Sequence, residues 1–391
     1  MSVTRRVFLI VLDSVGIGEA ADAKAFGDCG AHTLRSVFET GNLHIPNLLK
    51  LGIGNIEGLD FLGGSAKPAA SFARMREASS GKDTTIGHWE IAGHISDAPL
   101  PTFPDGFPPE VTDELCRIFG TEILCNKPYS GTDVLRDYGE EHLRSGKPIV
   151  YTSADSVLQI AAHTDVIPLS ELYEYCRKVR DLMKGEKLGV GRIIARPFEG
   201  KAGAFRRTAD RRDFSVTPPE GLIADALLAN GYDTIAVGKI SDIFAGRGFS
   251  KSIYTHSNTE GMSVTSQLAR HSFRGLCFVN LVDFDMMYGH RRDAEGYAEA
   301  LCEFDAWLGG FLDRLLPDDL LIITADHGCD PCFLASTDHT REDVPCIIYN
   351  AMMSPRDLGV RYTFSDVAAT VADFLGVHFE CKGTSMISEI L

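Results

Sequence analysis

No apolar run in this 391-residue chain approaches the roughly 20 residues needed to cross a bilayer. The run from Val7 to Leu12 follows Arg5 and Arg6 as a secretory signal would, but it stops at Asp13, short of the apolar region a signal requires. It reads as a first β-strand, and a cytoplasmic protein is expected. Positive charge is also scarce. The 38 Lys and Arg residues against 54 Asp and Glu leave a net charge of −16, a poor match for nucleic acid or an anionic membrane. Internal repeats and low-complexity tracts are missing. A dinucleotide fingerprint is missing too, since Gly189-Val-Gly191 lacks both the third glycine and a clear preceding strand. With no export signal, the ten scattered cysteines read as reduced thiols rather than a disulfide framework.

What is present is the balance of a soluble globular protein, 44% hydrophobic and 24% charged, in a chain long enough for two domains. Three apolar stretches run into polar residues at their carboxyl ends: Val7–Asp13, Leu276–Asp285 and Leu320–His327. They are apolar on both faces, as central parallel strands are. Helical patterns over Gly296–Leu316 and Ser365–Leu375 complete an α/β design, whose chemistry sits at the carboxyl ends of strands. Five prolines between Pro99 and Pro109, and the break at Thr217-Pro218-Pro219, mark boundaries. The expected division is a core of residues 1–99 and 218–391 carrying an inserted smaller α/β domain at 100–217.

The strand ends share a composition. Asp13 closes the first. Asp283, Asp285 and His290 follow the second, Asp326 and His327 the third, and Asp338 and His339 lie in Ser336–Arg341. An Asp at one strand end is most often a helix cap or a turn residue. Three clusters rich in carboxylate and imidazole favour a two-cation site for Mn²⁺, Zn²⁺ or Mg²⁺, able to clamp the attacking and leaving oxygens of a phosphoryl group. The spacing of five to His290 favours Asp285 over Asp283 as the ligand. Gly81-Lys-Asp-Thr-Thr-Ile-Gly-His-Trp-Glu90 offers a hydroxyl nucleophile at the start of a helix, with Thr84 and Thr85 not separable by chemistry and an N-cap as the plain alternative. Arg192, Arg196, Arg206, Arg207, Arg211, Arg212 and Lys239 gather the basic charge a phosphate would need, against the plain reading of a solvated face. Cys329-Asp-Pro-Cys332 lacks a second pair and reads as ordinary thiols, exposed by position to oxidation or thiophilic metals.

Taken in order, Val11–Glu19, Gly81–Glu90, Tyr151–His163, Gly191–Phe198, Asn280–Asp293, Ala325–Asp330 and Thr337–Glu342 together resemble the phosphopentomutases of the alkaline phosphatase superfamily. The resemblance implies an alkaline-phosphatase-like core sheet with helices on both faces and an inserted cap. It implies interconversion of ribose (or 2-deoxyribose) 1-phosphate and 5-phosphate through a phosphothreonine at Thr84 and a sugar 1,5-bisphosphate. It implies two Mn²⁺ ions, one on Asp13, Asp326 and His327 and one on Asp285, His290 and His339. Ser153, Asp155, Arg192, Arg207 and Lys239 match positions that contact the sugar and its distal phosphate. The activator would be glucose 1,6-bisphosphate or ribose 1,5-bisphosphate, the only partner a small phosphosugar, and the state a monomer. Thr164 and the two cysteines depart from the pattern without touching a proposed ligand.

Overall fold

The computed structural model describes residues 5–153, 155–335 and 338–390. Ala154 within Tyr151–His163, Ser336 at the head of Ser336–Arg341 and Thr337 at the head of Thr337–Glu342 lie outside the described residues. The chain divides into two compact units, one made of Met1–Pro99 with Pro218–Leu391 and the other of Leu100–Thr217.

In chain order the strands are β1 (Arg6–Leu12), β2 (Ser71–Met75), β3 (Leu124–Pro128), β4 (Ile149–Thr152), β5 (Val157–His163), β6 (Arg192–Glu199), β7 (Arg206–Arg207), β8 (Arg212–Ser215), β9 (Asp233–Val237), β10 (Lys251–Ile253), β11 (Gly275–Leu281), β12 (Asp319–Thr324), β13 (Val344–Tyr349) and β14 (Asp357–Arg361). The first unit holds an eight-stranded sheet in the order β10-β9-β11-β1-β12-β13-β2-β14. Its centre is parallel, with β1 between β11 and β12 and every residue of these three strands buried. Only β13 runs antiparallel to its neighbours.

Register shows that both faces are covered. Phe8 pairs with Cys277, so Phe8 and Phe278 point to opposite sides. Phe8 packs edge-on against Phe311 of the helix Ala294–Leu312, whereas Phe278 stacks under His88 of the helix Thr84–Ile91. The expected 296–316 helix thus begins two residues earlier, because the Asp293 side chain caps it by accepting from the Gly296 N–H, and ends at Leu312. Likewise the 276–285 run is strand only to Leu281, after which Phe284–Gly289 winds as a π-helix.

The second unit is built on β3-β4-β5-β6-β7, with β8 pairing β6. Alternation along β5 sends Leu158, Ile160 and Ala162 into one core with the helices Pro109–Phe119 and Leu169–Leu182. Ala161 joins a smaller core with Val134 and Leu135 of the helix Asp133–Ser145.

Candidate active site

Each strand of the central trio ends at an acid. Leu12 pairs with Leu281 and Val11 with Thr324, so Asp13, the turn after Leu281 and Asp326 emerge side by side at the carboxyl edge. Neighbouring strands lie about 4.8 Å apart, close enough for acids one strand apart to face a common ion. Asp13, Asp326 and His327 offer ligand atoms within 4.8 Å of one another, and so do Asp285, His327 and His339. His290 Nε2 is 3.4 Å from Asp285 Oδ2, and His339 Nε2 is 3.6 Å from Asp285 Oδ1.

The π-helical turn explains which of the two acids of this segment faces the cluster. In that winding residues five apart stack, and the His290 N–H donates to the Asp285 carbonyl at 3.0 Å. Asp283 instead accepts from the Asn258 N–H at 2.7 Å, at the start of the helix Asn258–Ala269. Asp285→Ala is therefore expected to lose bound cation while Asp283→Ala keeps it, as measured by metal analysis after gel filtration. The reverse pattern would move the ligand to Asp283.

Two buried carboxylate oxygens in this cluster, Asp13 Oδ1 and Asp285 Oδ1, have no hydrogen-bond partner, and Asp326 Oδ2 is met only by imidazole nitrogens, His88 Nδ1 at 3.1 Å and His327 Nε2 at 3.3 Å. Buried acceptors are normally satisfied, so such oxygens converging with imidazoles are the donor set of a divalent cation centre. The electrostatics agree. Burial, with the Asp326 and Asp285 carboxylates beside it, pushes Asp13 up to about 7. His327 is held up at about 9, because the charges of Asp326, Asp13 and Asp285 outweigh the opposite effect of its burial.

Thr84 is the hydroxyl that reaches the cluster: its Oγ1 lies 3.1 Å from His327 Nε2. The N-cap is Asp83, not a threonine. The Asp83 side chain accepts from the Thr85 and Ile86 N–H groups, which leaves the Thr84 hydroxyl free of capping duty at the first helical position. His88, one turn on, has Nδ1 2.8 Å from the Thr84 carbonyl and 3.1 Å from Asp326 Oδ2. Asn280 Nδ2 donates to Asp13 Oδ2 at 2.8 Å and lies 3.3 Å from His88 Nε2. That pattern suits the Nδ1–H tautomer of His88 and ties Asp13, Asp326 and the Thr84 helix into one network. The helix also needs glycine at 87, where a Cβ would sit 2.2 Å from the Asp326 carbonyl oxygen.

Two further buried residues escaped a role in the sequence reading. Glu342 accepts from the Gly18 N–H, the Thr33 N–H and hydroxyl, and the Thr340 hydroxyl, so it ties the loop after β1 to the segment that carries His339. Arg341 pairs with the Glu77 carboxylate and donates to the Gly81 and Glu77 carbonyls, fixing the segment that leads into Thr84. A signal existed for Asn280 alone, as the one strongly polar side chain inside the apolar strand Gly275–Leu281.

The expected substrate contacts fall in both units. Arg192 lies 3.7 Å from both Asp155 Oδ2 and Asp213 Oδ2, Arg207 Nε donates to the Gly131 carbonyl, and Ser153 is half-buried, all in Leu100–Thr217. Arg192 and Arg196 share one face of β6, four residues apart on a period of two. Lys239 lies instead in the first unit, where its charge acts on Asp13. Cys329 lies beside the cluster, as its position after His327 led one to expect. The turn after His327 brings its Sγ to 3.9 Å from His290 Nδ1.

Residues 5–379 match the family model of the metalloenzyme superfamily. The phosphopentomutase of Lachnoclostridium phytofermentans is 52% identical over 99% of this chain and 99% of its own length. That of Caldanaerobacter subterraneus is 51% identical over 99% of this chain and 98% of its own. A solved structure of Leishmania mexicana phosphoglycerate mutase aligns over 97% of this chain and 96% of that one, with a TM-score of 0.47 at 13% identity. The strand-end carboxylates, the imidazoles beside them and this full-length likeness agree: the chain belongs to the phosphopentomutase family of the metalloenzyme superfamily.

Proposed function

We propose that the protein interconverts α-D-ribose 1-phosphate, or its 2-deoxy analogue, and the corresponding 5-phosphate through a phosphothreonine at Thr84. The observation that carries this reading is the Thr84 hydroxyl at a helix N-terminus, 3.1 Å from His327, whose ligand atom groups with those of the buried carboxylates Asp13 and Asp326. Asp13, Asp326 and His327 would hold one cation, and Asp285, His290 and His339 the other, with Mn²⁺ the ion of choice. Such a pair supplies charge neutralisation of the phosphoryl oxygens and activation of an otherwise weak hydroxyl nucleophile.

The chain's own residues do the rest. Thr84 sits at the start of its helix, the end whose dipole favours an incoming phosphoryl group, although Asp83 already accepts from the Thr85 and Ile86 N–H groups there. In the phosphorylated protein a sugar hydroxyl attacks phosphorus. The bond from phosphorus to Thr84 Oγ1 breaks, and the hydroxyl proton ends on Thr84. The bisphosphate then turns over and returns its other phosphoryl group to the same oxygen. Ser153, Asp155, Arg192 and Arg207, with Lys239, are assigned to the sugar and the distal phosphate, where the arginine fork suits two phosphate oxygens. A sugar bisphosphate, glucose 1,6-bisphosphate or ribose 1,5-bisphosphate, primes Thr84. One chain carries a whole site on this reading, so a monomer suffices.

The test is ³¹P NMR of ribose 5-phosphate with the Mn²⁺-loaded, primed protein. Appearance of ribose 1-phosphate supports the reading, whereas inorganic phosphate as the sole product makes the protein a hydrolase. Cation binding should also carry a pH signature. Uptake needs Asp13 ionised and His327 neutral, yet without a cation these hold their protons up to about 7 and about 9. Mn²⁺ affinity is therefore expected to rise from pH 6 to pH 9 on the order of tenfold or more, with proton release in calorimetric titrations run in two buffers. A pH-independent affinity would contradict it.

A further inference from the structure

Besides the two groups of ligand atoms already described, one more cluster stands at the site, and it is the one that contains His290. Asp285, His290 and Cys329 each offer a ligand atom within 4.8 Å of the other two. The thiol is buried, and Asp285 Oδ1 is a buried carboxylate oxygen with no hydrogen-bond partner. The sulfur is held in place from the other side. A Cβ at position 289 would come within 2.9 Å of Cys329 Cβ and Sγ, so the glycine lets the π-helical turn close directly onto the thiol. The Cys329 N–H donates to the Thr33 hydroxyl at 3.1 Å, which fixes the backbone from which the side chain departs.

One nitrogen, one carboxylate oxygen and one sulfur are a borderline-soft donor set. Hard cations such as Mn²⁺ favour the oxygen and imidazole ligands, while Zn²⁺ and Cd²⁺ gain most from a thiolate. Asp285 and His290 belong to both sets, so the choice between them turns on whether the third donor is the His339 nitrogen or the Cys329 sulfur. Ring centroids of His290 and His339 lie 4.8 Å apart, and His290 sits between the two alternatives.

We propose that Asp285, His290 and Cys329 form a mixed nitrogen, oxygen and sulfur site that captures a thiophilic divalent cation, Zn²⁺ or Cd²⁺, in place of the hard cation at the Asp285 position. The thiol proton leaves to solvent as the sulfur–metal bond forms, with no change of oxidation state. Cys329 is thus the residue that sets metal preference at this position, and a soft cation is drawn away from His339 toward the sulfur. The inference rests on the cation-centre part of the proposed function, and the test separates the two.

Chelator-stripped full-length protein is titrated with Cd²⁺, following the near-ultraviolet thiolate-to-cadmium absorption, and separately with Mn²⁺, following free Mn²⁺ by electron paramagnetic resonance. Cys329→Ser and Cys329→Ala are compared with wild type, and Cys332→Ser serves as the control because that thiol is exposed. Wild type and Cys332→Ser should show a tight phase of the absorption. Both Cys329 variants should lose it and bind Cd²⁺ about tenfold or more weakly, with Mn²⁺ affinity changed by no more than about threefold. A tight phase that survives in both Cys329 variants, or is missing from a wild type that binds Mn²⁺, overturns the proposal. Equal loss of Mn²⁺ and Cd²⁺ in the variants overturns it as well, by making the thiol a packing residue. A wild type that binds neither cation sinks the metal centre itself.

Discussion

Thr84→Ala is expected to lower turnover by about 10⁴-fold or more while the protein stays folded and still binds Mn²⁺. The magnitude follows from the lack of a substitute. Thr84 Oγ1 is the helix hydroxyl that reaches His327, and Asp83 caps the same helix end with its carboxylate, so an alanine at 84 removes a nucleophile without uncapping the helix. Loss of the hydroxyl leaves the cation ligands and the His88 contacts in place, since His88 bonds the Thr84 backbone carbonyl rather than its side chain. The measurement is transfer of radiolabelled phosphate from a sugar bisphosphate to protein, followed by ribose 5-phosphate turnover. Thr84→Ser should retain part of both, and Thr85→Ala most of both. Labelling that persists in Thr84→Ala and vanishes in Thr85→Ala would relocate the nucleophile by one residue.

Gly87→Ala should be damaging too, to a smaller degree and by a different route. Glycine inside a helix normally costs about 1 kcal/mol against alanine, so the replacement would stabilise an unconstrained helix. Here the new methyl carbon would stand 2.2 Å from the Asp326 carbonyl oxygen, 2.9 Å from its carbonyl carbon and 3.0 Å from its Cβ. Asp326 follows a buried central strand and cannot retreat, so the helix must move by about an ångström. Misplacement on that scale costs on the order of 10²-fold in rate, and overpacking about 1–3 kcal/mol in stability. Gly310, in the helix Ala294–Leu312, has nothing within 4 Å of its would-be Cβ and is the natural comparison. Gly310→Ala should stabilise the protein by roughly 0.5–1 kcal/mol in denaturant unfolding. A Gly87→Ala protein as active and stable as wild type would mean that the Thr84 helix does not depend on close seating against Asp326.

Much of the metal cluster was legible because the strands announce it. An apolar run buried on both faces, stopped by Asp, is readable from composition, and adjacency of the three runs follows once they are parallel neighbours. The choice of Asp285 over Asp283 rested on a spacing of five, and the π-helical winding gives that spacing a physical meaning no α-helical or strand period would. Other features were hidden. Glu342 and Arg341 read as ordinary charges next to His339, because what distinguishes them is burial among loops distant in sequence. Asp83 took the capping role that a threonine was offered, since Ser, Thr and Asp compete for it on nearly equal terms. The place of Cys329 two residues after His327 already put it near the cluster, but its closeness to His290 is created by a turn, which composition does not encode.

The order of strands in the core sheet also bears on how the molecule is made. The central strand β1 comes from the first residues of the chain, yet both of its partners, β11 and β12, come from the last third, with the Leu100–Thr217 unit in between. On the ribosome β1 must therefore stay unpaired until β11 and β12 have emerged, on the order of tens of seconds at ordinary elongation rates. Throughout that interval an apolar strand lacks both lateral partners and is exposed to wrong pairing. The intervening unit, being contiguous, meets no such delay. The same strand order that gathers the carboxylates at one edge thus leaves an early apolar strand waiting for both of its lateral partners through most of vectorial synthesis.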